Sequence, residues 1–162
     1  MNPPELPDNE YARQHALWDL AVLDTDATEE LDRITQFTAH VFDVPIALVS
    51  LVDKDRQWFK SRFGLDAEQT SRDVSFCGHA ILGETVFVVS DTLEDTRFMD
   101  NPLVQDAPYI RFYAGAPLIL SSGYRVGTVC IIDTEPRELG AEDCKILQQI
   151  ASDVVKQLEK NK

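Results

Sequence analysis

Pro45-Ile-Ala-Leu-Val-Ser-Leu-Val-Asp53 is the longest apolar run in the chain. It is far shorter than the roughly 18 apolar residues of a membrane span. Pro45 lacks a backbone N–H and disfavours a helical residue before it, so the run does not continue a helix. Read as a strand, it is apolar on both faces. Ile46, Leu48 and Val52 share one face with Ser50, and Ala47, Val49 and Leu51 take the other. A strand of that kind is covered on both faces. A polar turn, Asp53-Lys54-Asp55, follows. Gln57 to Phe63 then reads as a second strand, with Trp58 and Phe59 on opposite faces. The two strands make an antiparallel hairpin.

Upstream, Asn9 to Leu23 has a helical stripe through Leu17, Leu20 and Ala21. Asp26 with Glu29 three residues later predicts the capped start of a second helix, which runs to about Val41 on Leu31, Ile34 and Phe37. Downstream, Gly64 to Asp73 reads as a polar loop, and Ser75 to Leu82 as a short helix capped by Ser75 and ended by Gly83. Val86 to Val89 is a short strand. Asp91 to Pro108 is a polar connection with one helical turn near Asp95–Met99. Tyr113 to Leu120 and Val126 to Asp133 form a last hairpin, whose turn holds Gly123. Glu142 to Lys160 is a strongly amphipathic helix. Residues 1–8 are Pro-rich and read as a flexible leader, and residues 9–160 as one domain. The sum is an α+β layer architecture: an antiparallel sheet with the terminal helices on one face.

The length of 162 residues suits one domain, and 44% hydrophobic with 27% charged residues argues against disorder. Fifteen basic against 28 acidic residues give a net charge of −13, which repels nucleic acid and anionic lipid. The first eight residues lack the basic and apolar regions of a secretion signal. Three cysteines, Cys77, Cys130 and Cys144, form no C-x-x-C pair, so a reduced, cytoplasmic protein is expected.

The densest chemical candidate is Ser75-Phe76-Cys77-Gly78-His79-Ala80. Cys77 would sit in the first turn of a helix, where the dipole lowers a thiol pKa. His79, two residues on, does not face it. The leading reading is a thiol packed under a cavity with His79 hydrogen-bonded. Ligand contact and redox chemistry are the alternatives. Ser90-Asp91-Thr92 with Asp95 and Arg97, and Arg111-Phe-Tyr-Ala-Gly-Ala-Pro-Leu118, are further candidates for a pocket above a sheet. Gly127 suggests a close backbone approach. No complete catalytic motif and no set of metal ligands is present in the sequence. A non-enzymatic protein without a cofactor is the expectation.

In order along the chain, Pro45–Asp53, Arg56-Gln-Trp-Phe-Lys-Ser61, Ser75–Ala80, Val89-Ser-Asp-Thr92 with Asp95-Thr-Arg-Phe98 and Asn101-Pro102, Phe112–Leu118 and Val126–Asp133 resemble a GAF domain. The resemblance covers about Leu17 to Glu159 and is similar to the sensory GAF domains that precede bacterial diguanylate cyclase and histidine kinase output domains. It implies a central six-stranded antiparallel sheet. The terminal helices lie on one face, often as a homodimer interface, and short helices and loops enclose a small-molecule pocket on the other. It implies a regulatory module that passes ligand state through its terminal helices to an output domain or a partner kinase or cyclase. No output domain follows Lys162, so action in trans or a fragment of a longer chain is implied. By position, the resemblance puts Ser50, Trp58, Phe76, Cys77, Ala80, Asp91, Phe98, Ile110, Phe112 and Ala114 on the ligand side.

Several family patterns are not met. Cyclic-nucleotide binders carry Asn-Lys, where this chain has Asn101-Pro102. Bilin binders carry Cys-His, where Gly78 separates Cys77 from His79. Free methionine-(R)-sulfoxide reductases, the enzymatic alternative, need a second cysteine before the last hairpin, and Asp91 to Phe112 has none. Cys130 lies mid-strand and is not expected to face the pocket. A ligand-free dimerisation module is the third reading.

Overall fold

The computed structural model describes residues 1–160. In chain order its elements are α1 (Glu10–Asp19), α2 (Glu29–Phe42), β1 (Ile46–Val52), β2 (Arg56–Phe63), β3 (Gln69–Ser71), α3 (Phe76–Ala80), β4 (Phe87–Val89), α4 (Pro102–Gln105), β5 (Phe112–Ile119), β6 (Arg125–Asp133) and α5 (Ala141–Glu159). The apolar run becomes β1, buried throughout. It is central in a six-stranded sheet of order β3-β2-β1-β6-β5-β4, and every neighbouring pair is antiparallel. Gly127 of β6 faces Leu51, and a Cβ there would run into the Ser50 carbonyl. The close approach read from the sequence is therefore the β1–β6 ladder itself.

The two faces of β1 enter two separate cores. Ala47, Val49 and Leu51 pack with Leu17 of α1, Leu31 of α2 and Leu147 and Val154 of α5. Ile46, Leu48 and Val52 pack with Phe76 of α3, Phe98 and Ile110. The α+β arrangement expected from the sequence is present, with α1, α2 and α5 on one face and the short elements on the other. No helix among the described residues is long and apolar enough to cross a membrane.

Local details differ from the sequence reading. The first helix stops at Asp19 instead of Leu23, because Ala21 and Asp24 take positive φ. The α2 cap is Thr28, whose Oγ1 accepts from the Leu31 N–H at 3.4 Å. Asp26 instead gives its carbonyl to Lys60. In α2, Phe37 and Val41 point outward while Thr35 and Thr38 are buried. Thr35 is satisfied by Ser61 at 2.7 Å, and Ser61 donates to Asp32 at 2.6 Å. A bulge lets Ser61 face α2: the β1–β2 register skips Lys60 between the Val49↔Ser61 and Ser50↔Phe59 pairs. The loop after β2 is not wholly irregular, since β3 pairs with β2 through Arg56↔Ser71.

Residues 1–8, read as a flexible leader, carry several contacts. The Asn2 N–H donates to the Arg97 carbonyl at 3.2 Å. His79 Nε2 lies 3.0 Å from the Asn2 carbonyl. Pro4 sits against Gly78, where a Cβ would displace it.

Glu10 joins α1 to the other side of the sheet. It accepts from Arg13 at 2.9 and 3.1 Å and from Arg72 at 2.6 and 3.0 Å. Arg13 also donates to the Val52 carbonyl at 2.8 Å, and Arg72 to the Asp53 carbonyl at 3.0 Å. Both guanidinium groups are buried. Burial works to raise the Glu10 pKa. Hydrogen bonds from Arg72 and Arg13, together with their charges, outweigh it and lower the pKa from 4.5 to about 2.

Candidate functional site

Between the sheet and the segments that follow β2 lies a cavity of about 380 Å³. Its floor is the even-numbered face of β1 with the residues beside it: Ile46 and Leu48 of β1, Phe59 of β2, Tyr113 of β5, and Cys130 and Ile132 of β6. Its walls come from Phe76 and Cys77 of α3, Leu65 after β2, and Leu103 and Ile110 around α4. Gly64, Asp66, Ala67 and Ala107 are exposed lining residues and mark the mouth. Gln57 and Thr70 add an amide–hydroxyl pair, with Gln57 Nε2 donating to Thr70 Oγ1 at 2.6 Å. Among the described residues, no Lys, Arg or His lines the cavity. The site is apolar, with a few polar groups converging on it, which is the usual build of a small-molecule pocket.

α3 positions Phe76 and Cys77. Ser75 Oγ caps it, accepting from the Gly78 N–H at 3.1 Å and donating to the Arg72 carbonyl at 2.7 Å. Phe76 stacks on Phe98 at 4.2 Å between ring centroids. Cys77 Sγ lies 3.2 Å from Tyr113 Oη and 3.1 Å from Thr128 Oγ1. Tyr113 reaches that point by lying across Gly115, where a Cβ would meet its hydroxyl. Cys130, two residues after Thr128 on the same face of β6, lines the same cavity. Burial works against ionising Cys77, and hydrogen bonds from Cys130, Ser50, Thr128 and Tyr113 outweigh it, so Cys77 falls below the usual thiol range. The neighbouring Cys77 thiol, followed by burial, pushes Cys130 well above that range. Burial and the charge on the two sulfurs push Tyr113 up as well.

Of the ten positions inferred from the sequence, Phe76, Cys77 and Ile110 line the cavity. Ser50 lies beneath it, donating to Gln57 Oε1 at 3.3 Å. Phe98 backs Phe76, and Ala80 is buried in α3. Asp91 lies outside the lining. It accepts from the Leu93 N–H at 3.1 Å and pairs with Arg111 at 3.1 Å. Trp58, Phe112 and Ala114 belong to the opposite face, in the core under the terminal helices. The reason is the strand period of two: Phe59 and Tyr113, one residue away, are the ones that face the cavity. Cys130 also corrects an expectation, since it does face the pocket. Leu65, Leu103 and Ala107 come from irregular segments that carry no periodic signal.

The GAF domain pattern matches residues 26–158. The chain belongs to the GAF domain family. Membership places it among sensory and regulatory modules. Over 152 residues it is 45% identical to a cyclic di-GMP phosphodiesterase from Pseudomonas aeruginosa, covering 93% of this chain and 26% of that protein. The chain thus spans about a quarter of the length of the curated relative it matches. Two solved structures are similar in fold. A free methionine-R-sulfoxide reductase from Neisseria meningitidis, in complex with its substrate, superposes at TM-score 0.67 with 18% identity over 98% of this chain and 96% of that one. The GAF domain of an Acinetobacter phosphoenolpyruvate-protein phosphotransferase superposes at 0.61 with 12% identity over 95% and 92%.

Proposed function

We propose that this GAF domain is a non-enzymatic sensor that binds a small molecule in the cavity under α3 and signals through its terminal helices. The observation that carries the reading is the cavity itself: about 380 Å³, largely apolar, and walled by segments that differ from the helix-bearing face. With no cation among the described lining residues, phosphate- or carboxylate-bearing ligands are disfavoured, because a buried anion needs a partner. The ligand class is therefore a neutral or cationic, mostly apolar molecule, with Gln57 and Thr70 as its polar contacts and Asp66 at the mouth. The other proposed ligand-side residues, Ser50, Ala80 and Phe98, hold the lining in place from behind.

The route to the helices is the Glu10 network, which ties α1 to Arg72, four residues before Phe76. The identity to part of a cyclic di-GMP phosphodiesterase supports a place in cytoplasmic second-messenger signalling, with an output domain or partner enzyme as the receiver. Exposed Phe37 and Val41 on α2 and Ile146 on α5 support a homodimer through this face. Light scattering tests the dimer: a monomer at tens of micromolar protein sinks that part.

A thermal-shift panel tests the sensor. At a ligand concentration about 100 times Kd, stabilisation is about 2.7 kcal/mol. A neutral apolar hit is expected. A panel on which only cyclic nucleotides or phosphates stabilise the protein refutes the ligand class, and a flat panel shifts the reading to a dimerisation module. The second reading, a methionine sulfoxide reductase-like thiol enzyme, is favoured by one observation, the presence of both Cys77 and Cys130 in the lining of one cavity. Sulfoxide turnover that survives Cys77→Ser rules it out.

A further inference from the structure

Cys77 and Cys130 come from distant parts of the chain, α3 and the middle of β6, and line the same cavity. Both are buried. Cys77 Sγ lies 3.1 Å from the hydroxyl of Thr128, which stands two residues before Cys130 on the same face of β6, and 3.2 Å from that of Tyr113. Cys144 lies apart from them on α5 and is partly exposed. The sensor reading gives the thiol pair no role.

We propose that Cys77 and Cys130 are an oxidisable dithiol, which a small hydroperoxide entering through the cavity converts to an intramolecular disulfide. The cavity mouth admits a small oxidant, while the depth of both sulfurs withholds them from bulky thiols and disulfides. Cys77 is the attacking sulfur because the surrounding hydrogen bonds favour its thiolate over that of Cys130. The Cys77 thiolate attacks the terminal oxygen of the hydroperoxide, the O–O bond breaks, and an alcohol leaves with the proton that Cys77 gave up. Cys77 is then a sulfenic acid. The Cys130 sulfur attacks the Cys77 sulfur, the S–O bond breaks, and water leaves with the Cys130 proton. In sum, two thiols lose two electrons and two protons, and the hydroperoxide is reduced to alcohol and water. The new bond ties α3 directly to β6 and replaces the contacts of Cys77 with Tyr113 and Thr128 at the cavity floor. None of this requires a bound ligand, so a flat ligand panel leaves it standing.

The test treats the reduced chain with hydrogen peroxide, blocks remaining thiols with iodoacetamide in denaturant, and maps the peptides by mass spectrometry. The expected result is a Cys77–Cys130 linked peptide pair with Cys144 alkylated, reversed by dithiothreitol. The proposal is overturned if Cys77 and Cys130 are both alkylated after peroxide. It is also overturned if oxidation is confined to Cys144, or if Cys77 passes to sulfinic acid beside an intact Cys130. In a folded Cys130→Ser variant, dimedone is expected to trap Cys77 sulfenic acid, and its failure to do so counts against the mechanism. If that variant does not fold, the wild-type peptide map decides alone.

Discussion

Replacing Glu10 with Gln removes one carboxylate from between two buried guanidinium groups. At neutral pH the wild-type carboxylate accepts from Arg13 and Arg72, and its pKa lies at about 2 instead of 4.5. That fall of about 2.5 pH units corresponds to about 3.4 kcal/mol of preference for the charged form in the folded state. The carboxylate keeps 14% of its side-chain surface in water, so screening reduces the figure to about 2–3 kcal/mol. Breaking a buried pair, which leaves its partner uncompensated, costs about 3–5 kcal/mol. We therefore expect Glu10→Gln to lose about 2–3 kcal/mol in urea unfolding at pH 7. The lowered pKa also fixes the pH dependence. The contribution is full above about pH 4.5 and disappears as pH falls towards 2. The gap between wild type and variant should accordingly narrow from pH 5 to pH 3. A difference below about 0.5 kcal/mol at pH 7, or a gap that does not change with pH, refutes the reasoning, since either would put the network in the class of surface ion pairs.

Three further substitutions probe the two cores and the cavity. Gly115→Ala sets a methyl group against the Tyr113 hydroxyl and should cost about 1–3 kcal/mol in chemical unfolding, as overpacking does. Leu147→Ala opens a void between α5 and the sheet, where Leu147 is fully buried, and should cost about 2–5 kcal/mol by the same measurement. Ile132→Phe adds bulk to the cavity floor, so the variant should fold with a near-native circular dichroism spectrum and lose any ligand-induced thermal shift.

The fold was legible because its central strand carries an unambiguous signal. Seven residues apolar on both faces demand covering layers, and amphipathic helices at both ends supply one of them. The cap of α2 lies two residues later than the sequence reading puts it: the helix starts at Glu29, and Thr28, not Asp26, accepts from the Leu31 N–H. The site was legible only in part. Phe76, Cys77 and Ile110 line the cavity, whereas Phe112 and Ala114 lie on the opposite face of a strand in which every residue from Phe112 to Leu118 is buried. A strand covered on both faces gives no polar residue to mark which side is which, and an error of one residue exchanges the faces. Cys130 was lost to the same ambiguity.

The order of strands makes the outer wall of the cavity a single excursion of the chain. β1 and β2 form one hairpin, β5 and β6 another, and the β1–β6 ladder joins them. Everything from Gly64 to Ile110 leaves the first hairpin and returns to the second without entering the core beneath the helices, apart from Val86 and Val88 at its margin. A loop of that length is closed at an entropic cost that grows only slowly with further residues. The excursion is thus an exchangeable cassette: a different run of residues between the same two hairpins would reshape what the cavity accepts while α2 and α5 kept their packing, and α1 would keep its tie only if the new run again supplied an arginine to Glu10.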